Sequence, residues 1–129
     1  MSYYARPMQL GRSVLIVEDE PLIAMMLEEF IDVLGHRVSG GAETVADALA
    51  RIDEGGFDLV ILDVNLRDGA ACWPIADALA ERNVPFLLAS GGHLEPPPPR
   101  HDNAPKLAKP YGLSDVRAAI ASIEAMMQD

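Results

Sequence analysis

Two apolar runs in this chain end in acids, Val14-Leu15-Ile16-Val17-Glu18-Asp19-Glu20 and Leu59-Val60-Ile61-Leu62-Asp63-Val64-Asn65. Each has the pattern of a strand buried on both faces, which belongs in a parallel sheet covered by helices. In such a sheet the strands release their last residues into one crevice at their carboxyl ends. That placement gathers Glu18, Asp19 and Asp63. Two carboxylates ~4 Å apart repel by about 4 kcal/mol at an effective dielectric constant of ~20. A fold that collects three of them needs a cation, a proton or a function that uses the repulsion.

The chain has 129 residues, enough for one domain with a real core. Hydrophobic residues make up 50%, which excludes a disordered polymer. Ten basic residues stand against 20 acidic ones, a net charge of −10. Such a surface repels phosphate backbones, so no nucleic-acid partner is expected. Cys72 is the single cysteine; no intramolecular disulfide is possible, and a reducing cytoplasm fits. Nothing near Cys72 would lower its pKa, so it reads as a small buried filler. No apolar stretch approaches ~20 residues, so no membrane span is expected. Residues 1–12 read as a flexible N-terminal arm before a domain over 13–129.

Strand and helix then alternate with short connections. Strands are expected at Ser13–Val17, His36–Gly40, Phe57–Leu62, Val84–Ala89 and Lys106–Ala108. Helices are expected at Glu20–Leu34, Thr44–Glu54 and Ala71–Arg82, and a last amphipathic one through Leu113, Val116, Ile120, Ile123 and Met127. Pro21 suits the first turn of a helix and Gly35 its C-terminal cap. Thr44 or Glu43 caps the second helix, and Ser114 is the expected N-cap of the last. The apolar stripe of the first helix runs through Ile23, Leu27, Phe30 and Leu34, widened by Leu22 and Met26. A helix also belongs between the fourth and fifth strands. Pro96, Pro97, Pro98 and Pro99 forbid a regular one, because each interior proline costs ~3 kcal/mol. That stretch reads as loop or polyproline II, with the helix missing or shortened.

Five strand–helix alternations imply an α/β fold with a doubly wound, five-stranded parallel sheet. The strong first, third and fourth runs belong in the centre and the weak second and fifth at the edges. This gives the flavodoxin-like order 2-1-3-4-5. One crevice then receives Glu18 and Asp19, Asp63, Ser90 and Lys109. Oxygen-rich acidic sites hold hard cations, and Mg²⁺ suits one or two carboxylates with waters and a phosphoryl oxygen. A carboxylate can serve as nucleophile and become an aspartyl-phosphate. Lys109 adds a point charge and Ser90 a hydrogen bond for the equatorial oxygens.

On these residues the chain resembles the receiver domains of two-component response regulators over roughly residues 13–127. The resemblance rests on Glu18-Asp19, Asp63, Ser90 and Lys109-Pro110, each at the end of its strand. It implies that Asp63 accepts a phosphoryl group from a sensor histidine kinase or histidine phosphotransfer protein. Asp19, Asp63 and the Asn65 carbonyl would ligate Mg²⁺, and Glu18 would act through water. Lys109 would bind the phosphoryl group and Ser90 would move towards it. Leu62-Asp63-Val64-Asn65-Leu66, Val84-Pro85-Phe86 and Ala89-Ser90-Gly91 are also similar to a single-domain, alphaproteobacterial subgroup with a Pro-Phe-x-Phe-Ala-Thr-Gly-Tyr signature. Here Leu88, Ser90 and Gly92 replace its second Phe, its Thr and its Tyr.

Three positions depart from the receiver pattern. Arg67 stands where a proline usually follows the phosphoacceptor. Lys106 stands where an aromatic switch residue usually precedes the lysine. The helix between the fourth and fifth strands is lost to the proline run.

Glu18-Asp19-Glu20 alone could be favourable charge at a helix N-terminus. An EF-hand loop starting at Asp63 fails, because Arg67 and Pro74 occupy ligand positions. A haloacid dehalogenase-type phosphatase would need an acid at position 65. His36, His93 and His101 lack metal-ligand spacing and read as surface residues. Trp73 reads as helix-start packing, and Lys106 as a solvated edge charge.

The expected function is a monomeric, cytoplasmic phosphoacceptor that signals by conformational change to an unspecified protein. It is a signalling protein and not an enzyme, beyond promoting its own phosphorylation and dephosphorylation. The competing class is a degenerate receiver that binds its partner without phosphorylation.

Overall fold

A computed structural model describes residues 11–66, 71–91 and 97–127. Five strands, β1 Ser13–Val17, β2 Arg37–Ala42, β3 Leu59–Asp63, β4 Phe86–Ser90 and β5 Lys106–Ala108, form one parallel sheet in the order β2-β1-β3-β4-β5. Four α-helices, α1 Pro21–Val33, α2 Val45–Glu54, α3 Trp73–Glu81 and α4 Leu113–Met127, are present among the described residues. The topology is the doubly wound, flavodoxin-like one. Between β4 and β5 the described residues hold only a 3₁₀ turn, Pro99–His101. Pro98 precedes it at φ −54° and ψ 148°, close to polyproline II. The Gly92 to Pro96 part of the proline-rich expectation, with His93, lies outside the described residues, as do Arg67 and residues 1–10.

Strand periodicity sorts the core into two layers. Leu15, Val17, Val60, Leu62, Phe86 and Leu88 face α2 and α3, packing on Ala48, Ile52, Ile75 and Leu79. Val14, Ile16, Leu59, Ile61, Leu87 and Ala89 face α1 and α4, packing on Leu27, Ile31, Val116, Ile120 and Ile123. Full burial of one such side chain contributes about 1.5–3 kcal/mol, so the sheet centre dominates the stability.

The helix faces differ in detail from the expected stripes. In α1 the centre of the buried face is Leu27 and Ile31, while Leu22 is 78% exposed. In α2 Ala48 is buried and Leu49 is on the rim. Apolar spacing defines a face to within one or two residues, and packing against the sheet selects its centre.

Helix ends follow local chemistry. Thr44 caps α2 by accepting from the Asp47 N–H at 3.0 Å. After α1, the Gly35 N–H bonds the Asp32 carbonyl and the His36 N–H the Ile31 carbonyl, each near 3 Å. With Gly35 at φ +88° this is a Schellman motif. Ser114 does not cap α4. The chain enters through Gly112, whose N–H donates to Asp115 Oδ2 at 2.8 Å. Gly55 ends α2 at φ +74° and ψ −159°, a region essentially closed to other residues. Gly55→Ala is therefore expected to lower stability by about 1–3 kcal/mol in urea denaturation, although a methyl group would meet no atom within 4 Å.

Two other side chains sit as expected. Lys106 is exposed, and its Nζ donates to the Asp102 and Ala104 carbonyls at 2.8 and 2.9 Å. Cys72 is fully buried, and burial pushes its thiol up to about 12. Arg12 is pinned, its N–H donating to His36 Nδ1 at 3.0 Å and its guanidinium bonding Glu124 at 3.1 Å.

Candidate functional site

The site grows out of strand parity. Residues 14, 16 and 18 of the first run, and 59, 61 and 63 of the third, share the side of the sheet that faces α1 and α4. Pairing of Val17 with Leu62 brings Glu18 level with Asp63, and Asp63 itself pairs with Ala89. On β5, Lys109 continues the side occupied by Leu107. Its N–H donates to the Ser90 carbonyl at 2.7 Å, tying the ends of β4 and β5 together. The Lys109–Pro110 peptide is cis.

The structure brings Glu18, Asp19 and Asp63 together, one carboxylate oxygen from each lying within 4.8 Å of the others. Glu18 and Asp63 are buried, at 4% and 5% exposure, while Asp19 is half-buried. Lys109 bridges the buried pair, with Nζ 3.2 Å from Glu18 Oε1 and 3.3 Å from Asp63 Oδ2. Two backbone donors complete the shell. The Glu20 N–H donates to Glu18 Oε2 at 3.0 Å, and the Asn65 N–H to Asp63 Oδ1 at 3.3 Å. Asn65 thus touches the site through its backbone, two residues beyond Asp63. Ser90, at the end of β4, is half-buried on the rim.

The electrostatics follow from this packing. Burial raises the carboxyl pKa of Glu18 and of Asp63 above the ordinary range; Lys109 and the backbone donors oppose it for both, and a side-chain hydrogen bond with Glu18 opposes it for Asp63. Burial pulls Lys109 down, but the charges of Asp63 and Glu18 outweigh it and raise its pKa. Because the two acids hold protons more tightly folded than unfolded, stability falls as pH rises through their window. Metal-free protein should therefore gain stability as pH falls from neutral towards the ordinary carboxyl range. His36, whose pKa is lowered by burial, works the other way in the same range. Comparing wild type with Asp63→Asn in urea melts at pH 5, 6 and 7 removes the His36 contribution. The wild type is expected to lose more stability than the variant as pH rises.

Two features of the structure had no signal in the sequence. Tyr111 is buried, and its hydroxyl has no hydrogen-bond partner among the described residues. Burial, then the charges of Glu18 and Asp63, raises its pKa. His101, expected on the surface, is instead 3% exposed. It pairs with Asp77, 24 residues away in sequence, at 2.8 Å. No local pattern could announce that contact.

A doubly wound sheet with an acidic pair after β1, an aspartate after β3 and a lysine after β5 defines a class of protein. The chain belongs to the response regulator receiver domain family, which matches it over residues 14–87. Among curated proteins it is 35% identical over 122 residues to the phyllosphere-induced regulator PhyR of Methylorubrum extorquens, covering 87% of this chain and 43% of that one. The chain spans about half the length of the curated relatives it matches first. Among solved structures it is similar to SdrG from Sphingomonas melonis Fr1, with 48% identity, TM-score 0.80 and coverage of 89% of this chain and 98% of that one. It also matches the BeF3-activated conformation of SdrG, described from Pseudomonas melonis Fr1, at 48% identity and TM-score 0.73, covering 86% and 94% of the two chains. No helix among the described residues is long and apolar enough to cross a membrane.

Proposed function

We propose that this receiver domain accepts a phosphoryl group on Asp63 from a phosphohistidine donor, a sensor kinase or phosphotransfer protein in the cytoplasm, and signals by the rearrangement that follows. The observation that carries this reading is the Lys109 ammonium bridging two buried carboxylates, Glu18 at 3.2 Å and Asp63 at 3.3 Å. A purely structural role would not require burying two acids against one cation, since removing one partner of a buried pair is costly and an apolar replacement is often neutral. A receiver that has become a phosphorylation-independent binding module would have no use for the arrangement.

The donor set fits Mg²⁺. Asp19 and Asp63 offer hard oxygen ligands, joined by the Asn65 carbonyl, with Glu18 acting through water. When bound, the ion neutralises charge on the transferring phosphoryl oxygens. An Asp63 carboxylate oxygen attacks phosphorus as the P–N bond to the donor imidazole breaks. The imidazole nitrogen leaves with the electron pair and takes up a proton, and an acyl phosphate forms on Asp63. Lys109 moves its charge from the Asp63 carboxylate onto a phosphoryl oxygen, and Ser90 donates a hydrogen bond to another. Beyond this self-directed chemistry the chain is a signalling protein. The SdrG structure described as BeF3-activated supports the reading, because that protein shares 48% of the aligned residues.

The direct test is incubation with Mg²⁺ and acetyl phosphate followed by intact mass spectrometry. One added acid-labile phosphate is expected, and none would favour the binding-module alternative. The metal has its own test. Saturating Mg²⁺ stabilises a native state by mass action, about 2.7 kcal/mol at 100 times Kd. The melting temperature should rise more for wild type than for Asp19→Asn, and equal responses would move the metal out of this crevice.

The readout is proposed to run through the β4–β5 connection. Lys106 occupies the position of the usual aromatic switch, so the protein should remain a monomer when phosphorylated. Light scattering with and without beryllofluoride measures this.

A further inference from the structure

His101 lies in the turn before β5, away from the acidic crevice, yet it is almost wholly buried. Its Nε2 is 2.8 Å from Asp77 Oδ1 on α3. Its ring stacks on Trp73 with centroids 6.0 Å apart and planes 11° from parallel. Its edge meets Phe86 of β4 at 5.5 Å and 67°. Arg100 reaches the same Asp77 oxygen at 3.3 Å. Trp73 and Asp77 are four residues apart on α3 and so share one face, which forms a stacking plate and a carboxylate for the imidazole. Nothing in the proposed phosphoryl chemistry uses this cluster.

Both sides of the cluster lead back to the crevice. On one side, the Cys72 N–H, next to Trp73, bonds the Val64 carbonyl at 3.0 Å, and the Val64 N–H bonds the Ala89 carbonyl at 2.9 Å. Val64 directly follows Asp63. On the other side, the Ala104 N–H bonds the His101 carbonyl at 3.2 Å, and the Pro105 carbonyl accepts from Leu88 at 2.9 Å. Four residues further on is Lys109. The cluster therefore joins the segment that leaves Asp63 to the segment that arrives at Lys109.

We propose that the Trp73–His101–Asp77 contact is a brake on activation, holding the phosphoryl-free arrangement and loosening when Asp63, Ser90 and Lys109 close on a phosphoryl group. The inference rests on Asp63 being the phosphoacceptor. On this proposal the contact is weaker once the crevice closes on a phosphoryl group, so weakening it by substitution shifts the protein towards the closed state. The coupling is reciprocal, so binding at the crevice must also disturb the cluster.

Trp73 is the only tryptophan, so its emission reports the cluster directly. The experiment titrates beryllofluoride into Mg²⁺-loaded wild type, Asp77→Asn and His101→Leu. Binding is followed by fluorine NMR and the cluster by tryptophan emission, with melting curves to establish folding. Asp77→Asn keeps the ring stack and serves where His101→Leu does not fold. Wild-type emission is expected to change saturably with binding, and the folded variants to bind about 3- to 10-fold more tightly. Equal or weaker binding by the folded variants, or wild-type emission that ignores bound beryllofluoride, overturns the brake alone. Wild type that binds no beryllofluoride removes the proposed function and the brake together.

Discussion

Asp63→Asn is expected to lose phosphorylation completely while gaining stability. The carboxamide is nearly isosteric with the carboxylate but is a poor nucleophile, so the mass added by acetyl phosphate should vanish. The stability gain follows from packing. Asp63 is a 5% exposed acid held beside buried Glu18, with Lys109 as their shared counter-charge. Removing its charge leaves Glu18 and Lys109 as a one-to-one pair. Removing the charge also relieves the unfavourable burial that raises the Asp63 pKa. In metal-free buffer at pH 7 the melting temperature should therefore rise by a few degrees. With saturating Mg²⁺ the order should reverse, because the variant has lost a ligand. Full phosphate occupancy on Asp63→Asn would remove Asp63 as the acceptor.

Lys109→Ala is expected to be damaging in both respects. Without the ammonium, Glu18 and Asp63 face each other buried, with the Glu20 and Asn65 N–H groups as their donors among the described residues. Breaking a buried ion pair costs about 3–5 kcal/mol, less where the pair can take up a shared proton. Lys109 retains 20% side-chain exposure, so a loss of about 1–3 kcal/mol at pH 7 is expected. That loss should shrink as pH falls towards the raised pKa values of the two acids. Loss of the charge opposite the phosphoryl group should slow phosphorylation by about 10²–10³-fold, the scale for removing one preorganised stabilising group. Urea melts and single-turnover phosphorylation measure the two effects. A variant as stable and as fast as wild type would make the Lys109 bridge incidental.

Much of this protein is legible along the chain because the relevant signals are local. Val14 to Val17 and Leu59 to Leu62 are apolar at every position, and only strands buried on both faces need that. The acids that end these runs follow from where parallel strands stop. Thr44, Gly35 and Gly55 mark helix boundaries through their own backbone chemistry. The proline run excluded a regular helix, and the described part of the connection holds only the Pro99–His101 turn. Ser114 misled because a hydroxyl near a helix start resembles a cap, while Asp115 reaching back to the Gly112 N–H does the work.

By itself, then, the sequence determined the fold class, the strand order and which strand ends meet, because alternation of elements and strand hydrophobicity are encoded within a few residues of one another. It also placed Glu18, Asp19, Asp63, Ser90, Asn65 and Lys109 at those ends. Only the tertiary structure decided how the acids are balanced. Lys109 lies 91 positions after Glu18, and their 3.2 Å contact exists only once β1, β3 and β5 are aligned in the sheet. The same holds for the rotation of α1 about Leu27 and Ile31, for the burial of Tyr111, and for His101. A histidine carries no local mark of burial, and the carboxylate and ring that hold His101 come from a helix across the β3–β4 crossover.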